Sequence, residues 1–298
     1  MSEILIREAV QADIPGINQL FSGEYGHGYP YQLGIINPEQ INLVACEAQR
    51  IIGFARAVVY GHYVHVWELC GLIVHPNYRG YGIAKAFTVE RIRRLRQMGV
   101  KTLVSEAVTC YEDCASQRNL LQFGFQPFGI LPFIHPWIRP EVLGTQPLSL
   151  VLMIVSLNGG TGFGNRELFL HDKDRHALEL FIDHSHLNPP WNRIVFSHPV
   201  ELQETSGKTV HGIKGSDFVD VPLNTIESLQ ICAHLRQEGF RLAGILPGFG
   251  RTLSGNPIDL LRLYRSPVSD KPLTFDLVHV IPQLLSLKRF CAKELELF

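Results

Sequence analysis

Three observations predict an α/β (α+β) protein built as two units. A buried-strand run, Leu69–Val74, passes through a glycine-rich turn straight into a helical pattern. Strand-like and helix-like segments alternate around that stretch from residue 4 to about 157. Residues 101–132 then align without gaps to residues 216–247, so part of the first unit is repeated in the second. The shared letters include Gly-Phe-x-x-x-Gly-Ile-Leu-Pro at 124–132 and 239–247, with Leu120/Leu235 and Gln122/Gln237 before it.

The elements follow in order. Ile4–Ala9 reads as a strand, and Asp13 is placed to cap a helix carrying Ile14, Ile17, Leu20 and Phe21. Gly23–Pro38 is rich in Gly, Tyr and Pro and reads as loop. Ile41–Glu47 and Ile51–Tyr60 form a strand pair, followed by the strand Tyr63–Val74. A helix runs from about Gly82 to Met98, with Ile83, Phe87, Ile92 and Leu95 on one face. Arg91, Arg93, Arg94 and Arg96 crowd its last turns, which reads as a solvated helix end whose cations suit the dipole. Lys101–Thr109 is a strand and Glu112–Phe123 a helix closed by Gly124. Phe125–Ile130 and Leu148–Ser156 are strands, and the latter resembles Ile258–Ser266.

Asn158–Gly164 is a glycine-rich linker, which divides the chain into 1–157, 158–164 and 165–298. Beyond it, Asp174–Leu187 reads as helix, Arg193–Ser197 as strand, Glu201–Gly215 as hairpin or loop, and Leu277–Leu295 as a helix interrupted by Pro282.

The stretch from Leu69 to Lys85 carries the chemistry. Pro76 stops the strand, and the turn Arg79-Gly80-Tyr81-Gly82-Ile83-Ala84 opens the helix. Such a turn leaves several backbone amides pointing one way at the positive end of a helix, which is an anion site suited to phosphates. It lacks the Gly-Lys-Ser/Thr of a P-loop and the third glycine of a dinucleotide fold. Arg79, Gly82 and Ala84, after Val74 and Pro76, fill the pattern Arg/Gln-x-x-Gly-x-Gly/Ala. In this the stretch resembles the acetyl-CoA motif of the GNAT superfamily of N-acyltransferases.

The resemblance implies a mixed, mostly antiparallel sheet flanked by helices in each unit, with acetyl-CoA or a longer acyl-CoA as co-substrate. It implies that amides of Leu72, Ile73 and Val74 meet the thioester or pantetheine, and that Gly80, Tyr81, Gly82, Ile83 and Ala84, with Arg79, hold the pyrophosphate. The base it implies is Glu68, six residues before Val74 and on the same face of a regular strand. A carboxylate in an apolar strand needs a reason, and burial would raise its pKa toward a useful value. Tyr63, His65 and His75 are alternatives, His75 through a water. Where many members carry a Tyr as general acid this chain has Leu120, with Ser116 and Asp113 at the neighbouring motif positions. Tyr111, Cys110 and Ser116 are the nearby substitutes, and a CoA thiolate can also leave unprotonated, since thiol pKa values lie near ~8.5. Ala-Ser-Gln-Arg at 115–118 is similar to a Ser-Gln-Lys element of tandem GNAT-like proteins.

Composition narrows the partners. Charged residues make up 18% and the net charge is −1, which points away from nucleic acid and anionic membranes. No apolar run reaches the length of a membrane span, and Met-Ser-Glu-Ile is no signal sequence. The six cysteines lack metal spacing and read as reduced thiols of a cytoplasmic protein, and His184-x-His186 reads as surface loop rather than a metal site. The expected partners are therefore an acyl-CoA and an amine acceptor, small molecule or peptide. Acetyl transfer is the default. One alternative is a fatty-acyl transferase whose second unit (Phe181, Trp191, Phe196, Phe218, Phe240, Phe249) walls an acyl tunnel onto a Lys, ornithine or N-terminal amine. The other is a non-catalytic acyl-CoA sensor or scaffold. The second unit has no phosphate loop, and its expected role is structural, to cover the first or to shape the acceptor site.

Overall fold

A computed structural model describes residues 3–26, 32–135, 147–157, 168–174, 177, 180, 217–265 and 273–296. The linker 158–164, the segments 181–216 and most of the Asp174–Leu187 helix lie outside the described residues. The described residues fall into two compact units, one within 3–106 and one made of 107–135 with 147–296.

In the first unit β1 (Ile4–Glu8), β2 (Ile41–Glu47), β3 (Arg50–Tyr60) and β4 (Tyr63–Val74) lie side by side in chain order, each antiparallel to the next. β5 (Thr102–Val108) pairs parallel to β4. Helix α1 (Ile14–Tyr25) covers one face. Its Ile17, Leu20 and Phe21 pack with Val44, Cys46, Phe54 and Ile73 in one buried cluster. On the other face lies α2 (Ile83–Gln97), whose Phe87 ring comes within 3.0 Å of the side-chain position of Gly53.

Two expectations need correction here. Asp13 stands at the start of α1 but caps nothing in it. Its carboxylate turns back to accept two hydrogen bonds from the Arg7 guanidinium, at 2.6 and 2.8 Å, and one from the Val10 amide at 2.8 Å. The Arg7 bonds hold the Asp13 carboxyl below its ordinary value of 3.8. A depressed folded pKa adds stability that is present above about pH 4 and lost as pH falls through the folded value. Asp13→Asn should therefore lower stability at pH 7 by about 1–3 kcal/mol. It should also flatten the acid limb of a plot of melting temperature against pH; an unchanged acid limb would contradict the assignment.

The arginines of α2 are the second correction. Arg93 and Arg94 pair with Glu90, and Arg94 also with Glu8, as a solvated face would. Arg91 is 1% exposed and belongs to the core. Burial lowers its pKa to about 10, so it stays cationic at neutral pH.

The second unit holds α3 (Ala115–Leu121), β6 (Gln126–His135), β7 (Leu148–Ser156), β8 (Asp217–Pro222), α4 (Glu227–Gln237), β9 (Arg241–Arg251), β10 (Pro257–Arg265) and α5 (Leu285–Glu296). Its strands run β7-β6-β9-β10-β8, antiparallel throughout. The internal repeat is structural. β6 pairs with β7 as β9 pairs with β10, and each pair carries a bulge at the equivalent place, Phe128 and Ala243. Phe133 and Gly248 both take positive φ, 52° and 66°. Their amides donate to equivalent side-chain oxygens, Ser149 Oγ at 2.9 Å and Asp259 Oδ1 at 2.7 Å. β6 and β9 cross at Gly129 and Gly244, the shared glycines of the repeated motif. The two copies thus meet about a local two-fold axis through those glycines.

In the same unit, Gln117 anchors the chain after residue 278. Its amide donates to His279 O at 2.9 Å and accepts from the Ile281 amide at 3.0 Å, and it is fully buried. Among the described residues no helix is long and apolar enough to cross a membrane.

Candidate acyl-CoA site in the first unit

β4 and β5 pair only at Val66↔Thr102, Trp67↔Leu103 and Glu68↔Val104. One residue further on, the Ser105 hydroxyl donates to Leu69 O at 2.8 Å, where a regular ladder would use a backbone amide. Beyond this point the two described strands run on to Val74 and Val108 with no further pairing between them. The sheet therefore forks at Glu68–Leu69.

The β4 arm of the fork is bulged. Arg56 opposes Cys70 and Phe54 opposes Ile73, so three steps along β4 match two along β3. Gly71 absorbs the extra residue with φ of 61°. Its side-chain position is crowded by Phe54, Arg56 and Phe21, the nearest atom 3.4 Å away. The bulge has a consequence for Glu68. Opposed residues of an antiparallel pair share a face, so Glu68, Cys70 and Ile73 line the α1 face. Val74, opposite Gly53, falls on the α2 face. The expectation that Glu68 and Val74 share a face is corrected, because it assumes an unbroken alternation across Gly71.

The bulge also gathers backbone acceptors around Arg91. Its Nη1 donates to Arg56 O at 2.9 Å and to Cys70 O at 3.3 Å, the two residues opposed beside the bulge. Its Nε donates to Phe87 O at 3.3 Å and its Nη2 to Thr88 Oγ1 at 3.4 Å. Arg91 and Ser105 were not singled out from the sequence. A glycine inside an apolar strand is a bulge signal that could have found Gly71. An arginine among three others on one helix carries no such signal.

After Val74 the chain makes a single 3₁₀ turn, Pro76–Tyr78, then Arg79, Gly80, Tyr81 and Gly82, and enters α2. Gly80 and Gly82 have φ of 86° and 78°, in the region only glycine enters freely. A side chain at either would meet nothing within 4 Å, so the turn stands open. The first amide of the helical ladder is that of Ala86, donating to Gly82 O at 2.9 Å. The amides of Ile83, Ala84 and Lys85 thus have no acceptor in the helix and sit at its positive end. The Ile83 side chain is core, so only its backbone serves the turn. Arg79 is tied down: Nε donates to Val74 O at 3.2 Å and Nη2 to Glu24 Oε2 at 2.6 Å.

His75 is a poor base in this setting. Burial and the Arg50 and Arg79 charges depress its pKa, so the ring is neutral at pH 7. The Arg50 guanidinium lies 2.9 Å from Nε2 and can only donate, which occupies the one acceptor nitrogen of a neutral ring. The Asn77 amide donates toward the other ring nitrogen, Nδ1, at 3.3 Å, and a neutral ring has one acceptor nitrogen to offer these two donors. Tyr111 and Ser116 belong to the second unit, the former in the loop before α3 and the latter in its first turn. Leu72, Ile73, Val74 and Arg79–Ala84 are brought together around the fork and turn of the first unit. Among the described residues no cluster of His, Cys, Asp or Glu could hold a metal.

Residues 14–125 match the model of the Acetyltransferase (GNAT) family. Similar solved structures include an N-acetyltransferase from Staphylococcus aureus Mu50, 20% identical with a TM-score of 0.44, covering 52% of this chain and 99% of that one. NAA60 of Arabidopsis thaliana, solved with a bisubstrate analogue, is 17% identical with a TM-score of 0.44 and covers 53% of this chain and 100% of its own. The structure of yncA from Salmonella typhimurium, solved with its cofactor acetyl-CoA, is 20% identical with a TM-score of 0.42, covering 54% and 97%. No curated protein matches the chain.

Proposed function

We propose that this chain, whose residues 14–125 match the GNAT acetyltransferase family, is an acyl-CoA-dependent N-acyltransferase with acetyl-CoA as its default donor. The observation that carries the reading is the open glycine turn at the start of α2, placed directly after a strand that forks from its neighbour. The pyrophosphate would lie on the amides of Ile83, Ala84 and Lys85 and against Gly80–Gly82, where the helix dipole favours an anion. The pantetheine arm would enter the fork and bring the thioester to Leu72–Val74.

The reaction then needs three events. A neutral amine attacks the thioester carbonyl. Amides from Leu72–Val74 stabilise the oxyanion that forms. Glu68, at the root of the fork, takes the proton the ammonium must lose. The tetrahedral adduct collapses with cleavage of the C–S bond, and the nitrogen gives up its remaining extra proton to water or to the departing sulfur. CoA can leave as the thiolate, because a thiol pKa near ~8.5 makes it a tolerable leaving group without a general acid. This suits a chain with Leu120 where an acid tyrosine would stand. Tyr111 and His75 remain as secondary candidates, and the Arg50 contact weakens the case for His75.

Glu68→Gln keeps the shape and removes the base. Thiol release from acetyl-CoA, measured with peptides and polyamines as acceptors, should fall by roughly 10²–10⁴-fold. The affinity for CoA should stay the same. Full activity in Glu68→Gln would remove Glu68 from the mechanism. A wild-type protein that binds acetyl-CoA yet releases no thiol with any acceptor would turn the reading to a sensor or scaffold.

A further inference from the structure

We propose that Arg91 is a positioning residue for acyl transfer, clamping the β4 bulge in the conformation that presents the amides of Leu72–Val74 to the thioester. The inference rests on the acyl-CoA reading of the fork and turn.

Arg91 is an expensive residue where it stands. Its side chain is fully buried, and among the described residues no carboxylate reaches it. A buried cation without a counter-ion is costly, and an apolar side chain of similar length would fill the same space more cheaply. What an apolar side chain cannot do is donate. All four donations of Arg91 go to neutral oxygens, two of them to the carbonyls of Arg56 and Cys70 that face each other beside the bulge. A bulge disrupts the ladder locally, and buried carbonyls there need donors from outside the sheet. Nη1 alone serves both strands, so it fixes the β3–β4 spacing at the step where the register slips. Leu72 is two residues past Cys70 and Val74 four. A change in the plane of the Cys70–Gly71 peptide is therefore passed directly to the amides proposed to meet the thioester. Ser105 completes the clamp from the other side by holding Leu69 O, the carbonyl next along β4.

A role in positioning predicts an effect confined to the acyl end of the ligand. The measurement is the dissociation constant of the full-length protein for CoA and for acetyl-CoA, in wild type, Arg91→Lys and Arg91→Met. It is read beside the carbonyl stretch of bound acetyl-CoA carrying ¹³C at the thioester. Wild type should bind acetyl-CoA roughly three- to tenfold tighter than CoA, the worth of one added hydrogen bond. Its thioester stretch should be lowered from the solution value. Both variants should lose that preference and return the stretch toward solution, with CoA affinity kept. Equal losses for CoA and acetyl-CoA, or an unchanged preference and stretch, would overturn the proposal. So would a wild type that binds both ligands alike with an unshifted stretch. If neither Arg91 variant folds, Ser105→Ala takes their place, and full preference in it would overturn the clamp. A wild type that binds no CoA at all would instead overturn the acyl-CoA reading beneath it.

Discussion

Gly82→Asp is expected to lower the affinity for CoA by on the order of 100-fold, about 2.7 kcal/mol, while the protein stays folded. The two halves of that result have separate causes. Gly82 occupies the N-cap of α2 with φ of 78°, and its side-chain position opens on empty space. Aspartate is among the residues that tolerate the left-handed region, and its charge there complements the helix dipole. The strain and the charge–dipole attraction oppose each other, so stability should change by about 1 kcal/mol or less. The same carboxylate, however, stands where the pyrophosphate is proposed to lie. It competes for the free amides of the first turn and repels the ligand's charge. Calorimetric titration with CoA, together with thermal melting, separates the two effects. Unchanged CoA affinity in a folded Gly82→Asp protein would remove the turn from the site.

Gly129→Ala is the largest stability change expected. A Cβ at Gly129 would lie 2.3 Å from Ala243 O and 2.7 Å from Gly244 Cα. Both are backbone atoms of the adjoining strand, so no side chain can move aside. The mirror change at Gly244 would meet Phe128 O at 2.6 Å. Overpacking of side chains costs about 1–3 kcal/mol, and a backbone collision lies at or beyond the top of that range. A loss of about 3 kcal/mol corresponds to a melting temperature lower by about 6–12 °C. Gly23→Ala is the matched control, since a methyl there meets nothing within 4 Å and sits inside α1. It should raise stability by about 0.5–1 kcal/mol. Equal melting temperatures for Gly129→Ala and wild type would mean that the two repeats do not meet at these glycines.

Much of this architecture is legible in the residues. Leu148–Ser156 is apolar apart from Ser149 and Ser156, and Tyr63–Val74 apart from His65 and Glu68, which suits strands with buried faces. Gly124 and Gly239 end their helices with φ of 80° and 92°, as their place after a helical pattern implies. The repeat at 124–132 and 239–247 is visible as letters, and the equivalent bulges at Phe128 and Ala243 give it a physical basis.

The rest depends on long-range contacts that no local pattern encodes. Asp13 has the residue type and place of a helix cap, yet Arg7, six residues earlier, outcompetes the helix amides for its carboxylate. Arg91 looks like its exposed neighbours because the helix repeat alone does not say that one of four arginines faces a bulge. The face of Glu68 was misread for a similar reason. Counting by twos is sound in a regular strand, and Gly71 breaks the count. The helix expected at Glu112–Phe123 begins only at Ala115, because Cys114 takes φ of 49°, a left-handed conformation that cannot extend a helix backward.

Every step proposed for the site depends on an acyl-CoA held at the open turn Gly80–Ala84. Native mass spectrometry of the purified full-length protein, titrated with acetyl-, octanoyl- and palmitoyl-CoA, tests it most directly. One CoA thioester per chain is expected, with acetyl-CoA bound as well as the longer chains. Tighter binding of palmitoyl-CoA would keep the turn but move the donor to a fatty acyl group. Absence of any CoA-bound species at concentrations that saturate ordinary CoA sites would mean that the turn is not a CoA site.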